Sequence, residues 1–227
     1  MRLGRLDDWQ KKLVECYEGR TDHPAFVAIA ETAARTGIPM SLLADLLTAF
    51  RMDVTTKRFR TAADVLQYCV YSANPLGRLV LHIFGGVSDR ACALSDSICT
   101  GLQLANFAQD VAVDWEKGRL YIPLEDLEHI GYTEEEIGRR TSDRRFRDVM
   151  RIQVGRARSF LLAGAPLVEE GPREIRFELA LTVRGGLAIL KRVEGIGFDV
   201  LRERPVIPLL EKVRIVVLAF AGGNSWN

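Results

Sequence analysis

Two aspartates four residues apart, Asp110 and Asp114, stand in a run of otherwise small or apolar side chains between residues 101 and 115. On a helix turning about 100° per residue, with Gln103 at zero, Asn106 falls at about 300°, Asp110 at about 340° and Asp114 at about 20°. The four polar groups share a stripe roughly 80° wide. Around them lie Leu102, Leu104, Ala105, Phe107, Ala108, Val111, Ala112 and Val113, and only Gln109 breaks the pattern. A helix apolar nearly all round is a buried one. Carboxylates on it need compensation, because an unpaired buried charge is costly.

Two compensations are open. Asp110 and Asp114, about 6 Å apart along the axis, could share hard cations through oxygen ligands, with Asn106 adding an amide oxygen; Mg²⁺ suits such a site. Alternatively, arginines of a neighbouring helix could pair with them. The apolar surround and the amide pair Gln103 and Asn106 favour the metal-lined cavity. Lys117, Arg119 and Tyr121 follow directly. Basic groups there could hold a diphosphate that metals also hold. A solvated loop is the simpler account of Lys117, and Arg119 stays open on spacing alone.

The elements that must position this stripe read as helices throughout. Residues 6–18 are amphipathic. Asp22 and Pro24 open a second helix, with Phe26, Ile29, Ala30, Ala33 and Ala34 at helical spacing. Ser41 is expected to cap a third and Thr61 a fourth, and Asn74-Pro75-Leu76-Gly77 to interrupt or kink the fourth. One long helix is expected from Ser95, or slightly earlier, to about Trp115. Thr133 with Glu136 has a capping-box pattern. Further helices are expected at residues 145–163, 174–193 and 206–220. With no internal repeat, low-complexity segment or linker, one all-α domain over residues 1–227 is the natural organisation.

Composition excludes several function classes. The 227 residues are 48 % hydrophobic and 27 % charged, with a formal net charge of +1. This is ordinary for a globular domain and lacks the basic surplus of a nucleic-acid binder. Cys16, Cys69, Cys92 and Cys99 have no CxxC spacing and only three histidines accompany them, which speaks against zinc and for reduced thiols. No GxGxxG or Walker loop occurs. The first residues, MRLGRLDDWQKKL, have no signal-peptide core, and the apolar run at 215–221 is too short to span a bilayer. A cytoplasmic protein is expected, soluble or at most peripheral to a membrane.

The segment QLANFAQDVAVDWEKGRLYIP resembles the second aspartate-rich motif of squalene and phytoene synthases, QLxNxxxDxxxDxxxGRxYxP, at every fixed position. Upstream, RMDVTTKRFRTAADVLQYCVYSANPLGRLV is similar to the family segment with an Asp, a basic pair, a helix cap and a Tyr-Cys before a small-residue kink. The form YCxYSANPxGRLVL looks most like the bacterial hydroxysqualene synthase branch, where squalene and phytoene synthases more often have Val-Ala-Gly. PLEDLEHIGYTEEEI and the Arg-rich helix after it also follow the family. The resemblance covers nearly the whole chain.

It implies an isoprenoid synthase fold, a multi-helix bundle around a central cavity in which two acidic motifs face each other across bound Mg²⁺. Asp110, Asp114 and Asn106 would be metal ligands. Tyr68 would be catalytic with the two aspartates. Gln103, Asn106, Arg119, Tyr121, Asp53 and Arg58 would bind a prenyl diphosphate substrate. In the hydroxysqualene branch this is presqualene diphosphate, which ionises before water quenches the cation. The alternative is head-to-head condensation of two farnesyl or geranylgeranyl diphosphates, and a further alternative is a non-catalytic relative. Phe50, Leu76, Leu104 and Phe107 are expected to supply apolar walls.

One departure stands out. The family's first acidic motif, DDxxD, has no counterpart: Asp7-Asp8 is followed by Trp9-Gln10 and matches the family segment after that motif. The resemblance therefore implies an N-terminally truncated domain, with low activity and reduced stability. At Asp7 and Asp8 an exposed helix start is expected instead.

Overall fold

Local signals set most of the helix ends. The structure, a computed structural model, describes residues 2–220 and Trp226. It begins with α1 (Arg2–Tyr17), α2 (Pro24–Thr36) and α3 (Met40–Thr55). Pro24 occupies the first turn of α2, and Gly37, at φ 68°, closes it in the left-handed conformation that favours glycine. Ser41 does not cap α3. That helix starts at Met40 behind an extended Pro39, which leaves Ser41 inside the first turn. α4 (Ala62–Ser72) does start as expected: the Thr61 hydroxyl accepts from Asp64 N, and the Asp64 carboxylate accepts from Thr61 N. Ala73 breaks the chain before α5 (Asn74–Ile83).

The expectation of one helix through residues 95–115 needs correction. α6 (Asp89–Gln109) ends where Asp110 adopts φ −106° and ψ 20°, and α7 (Val111–Glu116) resumes beyond it. No Pro or Gly lies at this point. Two contacts from the loop at 204–205 act there: Gln109 Nε2 donates to Pro205 O (2.7 Å), and Arg204 holds the Asp110 carboxylate. The backbone bonds Asp110 N to Asn106 O (2.9 Å) and Asp114 N to Asp110 O (2.8 Å) remain, so the turn is distorted rather than lost.

The chain continues with α8 (Leu124–Ile130), α9 (Glu134–Gly138), α10 (Arg144–Gly164), α11 (Leu167–Glu170), a 3₁₀ turn (Arg173–Ile175), α12 (Arg176–Gly195) and α13 (Leu209–Phe220). Thr133 and Glu136 form the expected capping box at α9, and Asp143 caps α10. Among the described residues there is no strand, only an isolated bridge between Arg58 and Leu120. The all-α expectation holds.

α6 is the central pillar, packed most extensively on α10 and also on α5 and α12. Two glycines allow the α6–α10 approach. A Cβ at Gly101 would lie 2.7 Å from Leu161 N, and one at Gly164 would lie 2.6 Å from Leu94 O. Leu104, Ala105, Ala108, Val149, Val154 and Leu161 fill the core between these helices. A separate cluster of Leu13, Cys16, Phe26 and Leu47 joins α1, α2 and α3. Asp7 lies exposed on α1 and pairs with Arg51 of α3 (3.0 Å). All four cysteines are free thiols. No helix among the described residues is long and apolar enough to cross a membrane. The apolar run at 215–221 ends on Ala221, outside the described residues.

Candidate active site

Three features on and beside α6 make up the candidate site. The first is the acidic face. Asp110 and Asp114 are largely shielded, their side chains 15 % and 16 % exposed. Arg204 grips Asp110 with both arms of its fork, Nε to Oδ1 at 2.6 Å and Nη2 to Oδ2 at 3.2 Å. An arginine partner was the alternative weighed from the sequence, though it comes from the loop before α13 and not from a packed helix. Asp114 is different. Its closest cation, Lys117 Nζ, is 4.0 Å away, and among the described residues its carboxylate accepts no hydrogen bond. Burial raises its pKa above the ordinary carboxylate value. Lys117 opposes that shift, and the negative charge of Asp110 adds to it. Asn106 is exposed on the same face.

The second feature is a polar network built on Asp53 of α3. The Tyr68 hydroxyl donates to Asp53 Oδ1 at 3.0 Å. Arg119 approaches the same oxygen at 3.4 Å and donates to Asp53 O at 3.3 Å and to the Tyr121 hydroxyl at 3.2 Å. Aromatic rings fix these groups: Phe107 of α6 stacks on Tyr121 with centroids 3.7 Å apart, and Phe59 lies 5.5 Å from both Tyr68 and Tyr121. Burial, then the Tyr121 and Asp53 charges, push the Tyr68 pKa well above the usual phenol range. For Arg119 burial works against the charged form, but Tyr121, Asp53 and Tyr68 together outweigh it and raise its pKa. Asp53 and Tyr68 are thus brought together with Arg119 and Tyr121, distant from them in sequence.

Arg58 is not among them. It donates to Glu134 and to Gly118 O (2.8 Å) and lies 5.0 Å above the Trp115 ring, where it ties α7 to α9.

The third feature is an apolar cavity of about 560 Å³ between α5, α6 and α12, lined among others by Ala73, Leu76, Val80, Cys99, Leu102 and Gln103. Gln103 belongs to both this cavity and the stripe. Of the four expected wall residues only Leu76 lines it. Phe50 faces a groove between α1 and α3, Leu104 is core, and Phe107 belongs to the aromatic stack. Glu134 and Arg204, partners of Arg58 and Asp110, were not foreseen. Neither has a local signal, since each lies more than seventy residues from its partner.

The donor set fits a divalent metal held on one side. Two carboxylates and an amide offer hard oxygen ligands, and Mg²⁺ fills its remaining positions with water and substrate phosphates. Among the described residues no group of three or more His, Cys, Asp or Glu side chains could hold a metal unaided. The poorly partnered Asp114 is the group that most needs a cation.

Residues 1–211 match the family model described as Squalene/phytoene synthase. A hydroxysqualene synthase from Sinorhizobium fredii is 36 % identical over 78 % of this chain and 60 % of its own length. A phytoene synthase from Arthrospira platensis is 29 % identical over 96 % of this chain and 74 % of its own length. The crystal structure of squalene synthase HpnC from Alicyclobacillus acidocaldarius superposes with a TM-score of 0.85 at 36 % identity, covering 87 % of this chain and 75 % of that one.

Proposed function

The chain belongs to the squalene/phytoene synthase family and has its isoprenoid synthase fold, and on that premise we propose that it converts presqualene diphosphate to hydroxysqualene with release of diphosphate. The observation that carries this reading is Gln103, which lines the apolar cavity and shares a helical stripe with Asn106 and Asp110. A substrate with a diphosphate head and long hydrocarbon tails has both needs at once. The 36 % identity to a hydroxysqualene synthase supports this branch.

The roles follow from the groups present. Bound at Asp110, Asp114 and Asn106, Mg²⁺ would supply Lewis-acid stabilisation of the leaving diphosphate. Arg119, already oriented by Asp53 and Tyr121, offers fixed N–H donors to diphosphate oxygens. Tyr68 stays protonated at neutral pH and keeps its hydroxyl dipole aimed through Asp53. The apolar walls exclude bulk water from the cation left behind. Gln103 stands where the polar and apolar parts meet and would orient the head group. Arg58 acts here through structure, by holding the α7–α9 corner.

The second reading is head-to-head condensation of two farnesyl or geranylgeranyl diphosphates, favoured by the phytoene synthase relative that spans 96 % of this chain. Incubation of the purified chain with Mg²⁺ and either presqualene diphosphate or farnesyl diphosphate, followed by mass spectrometry of the organic extract, separates the readings. Hydroxysqualene from the first substrate supports our proposal. A hydrocarbon from the second moves the function to condensation, and no product from either points to a non-catalytic relative. Lipid substrates and products also suggest action at a membrane surface, the cytoplasmic side of the inner membrane in our reading.

A further inference from the structure

The proposed reaction makes two opposed demands on the cavity between α5, α6 and α12. Its walls must exclude bulk water, because a carbocation is captured by the first nucleophile it meets. The alcohol product nevertheless needs the oxygen of one water molecule. We propose that Thr182 holds that water and that Glu178 accepts its proton, which makes this pair on α12 the quenching site. The inference rests on the hydroxysqualene reading above. Both residues line the cavity. They stand four residues apart on α12, about 40° apart around the helix axis and about 6 Å apart along it. Thr182 is half-buried and Glu178 is exposed.

Their lack of partners singles them out. Among the described residues neither side chain makes a hydrogen bond or an ion pair. Thr36, Thr48 and Thr55 turn their hydroxyls back to the carbonyl four residues earlier in their helices, and Thr182 does not. Ser95, the other hydroxyl of the cavity, is engaged with the Cys99 thiol. Glu174 also lines the cavity but belongs to the 3₁₀ turn, two turns from Thr182. A half-buried hydroxyl with no partner in an apolar cavity is a place for an ordered water, which needs two or more polar partners. The Thr182 hydroxyl supplies one and the Glu178 carboxylate the second. Ionisation breaks the C–O bond to diphosphate, and the electron pair leaves with the diphosphate. The water oxygen then forms the new C–O bond to the rearranged cation. The oxonium proton passes to the Glu178 carboxylate and from there to solvent, which its exposure permits. The step consumes one water and releases diphosphate and one proton, with no oxidant or reductant.

The test reads how the cation is partitioned. Wild type, Thr182→Val, Thr182→Ser and Glu178→Gln are each incubated with Mg²⁺ and presqualene diphosphate, and alcohol and hydrocarbon products are measured by mass spectrometry. Thr182→Val keeps the side-chain volume and removes the hydroxyl. Its ratio of hydroxysqualene to hydrocarbon should fall about fivefold, the worth of one neutral hydrogen bond, because the unquenched cation loses a proton and gains a double bond instead. Thr182→Ser restores the hydroxyl and should restore the ratio. Glu178→Gln should lower the ratio as well. Its position is exposed, so it carries the test should circular dichroism show Thr182→Val unfolded. A wild type that makes hydroxysqualene at a ratio indifferent to Thr182→Val and Glu178→Gln overturns the inference and leaves the reaction standing. A wild type that makes no hydroxysqualene overturns the reaction itself, and the quenching site falls with it.

Discussion

The acidic face and the Asp53 network flank the same residue, Phe107, yet they are built in opposite ways. In the network the polar side chains partner one another: Tyr68 gives its proton to Asp53, and Arg119 spans Asp53 and Tyr121. On the acidic face Asp114 is largely shielded and, among the described residues, accepts no hydrogen bond, and Asp110 is held by one arginine from a distant loop. A network whose groups bind one another is a scaffold that holds its donors ready. A desolvated carboxylate with no close partner is a place where the fold leaves room for a ligand to complete the charge balance. On the proposed reading, the difference gives binding to the acidic side and orientation to the Asp53 side.

The largest effect expected from this contrast is on the acidic side. Asp114→Asn keeps the shape and removes the charge. Mg²⁺-dependent diphosphate release should fall about 100-fold or more, while the thermal midpoint stays level or rises. A variant that loses stability in step with activity would make Asp114 a structural residue and erase the contrast. The opposite pattern is expected at Asp53. Asp53→Ala leaves the Tyr68 hydroxyl and the Arg119 guanidinium without their shared acceptor. It should cost about 2 kcal/mol of stability by urea denaturation, with activity lost through misplaced donors and not through metal affinity. Titration of Mg²⁺ with the folded variant checks the second half of that statement.

A smaller effect sharpens the comparison from within the acidic face. On the proposed reading, Arg204 and a divalent metal would compete for the Asp110 carboxylate. Arg204 is half-exposed, and an ion pair of that kind is worth up to about 1 kcal/mol. Arg204→Gln should therefore raise Mg²⁺ affinity by up to about fivefold, read by isothermal titration calorimetry. A fall in affinity would mean that Arg204 supports the metal site and does not oppose it.

The contrast was half visible in the residues themselves. Helical periodicity puts Gln103, Asn106 and Asp110 on one stripe of α6, and Thr61 and Thr133 announce their helices by local chemistry, so these starts were legible. The break at Asp110 was not. NFAQDVAVDW contains no helix breaker, and the distortion accompanies Arg204 and Pro205, more than ninety residues away. Arg58 entered the substrate-binding set through the family resemblance, and its tertiary partners, Gly118 O and Glu134, had no signal in the sequence. The Asp53–Tyr68–Arg119 meeting is likewise tertiary, and only the family motif hinted at it. Spacing along one helix says which groups share a face. It does not say which are already partnered, and partnership distinguishes the two sides of Phe107.

The finest test of that distinction is the pH dependence of stability. Burial raises the Asp114 pKa, so the folded state binds its proton more tightly than the unfolded chain does. The stability this group contributes is greatest below the ordinary carboxylate pKa and is lost as pH rises through the raised folded value. Asp114→Asn carries no such proton. Other carboxylates titrate in both proteins and cancel in the difference. Relative to the variant, wild type should therefore lose stability as the pH climbs from the ordinary carboxylate pKa through the raised value, with a constant gap above. Mg²⁺ favours the charged carboxylate and should remove this trend in wild type while leaving the variant unchanged. Urea melts of both proteins across that pH range, with and without Mg²⁺, decide the matter. A gap indifferent to both pH and metal would mean that solvent or an unseen partner already satisfies Asp114, and the two sides of Phe107 would then be alike.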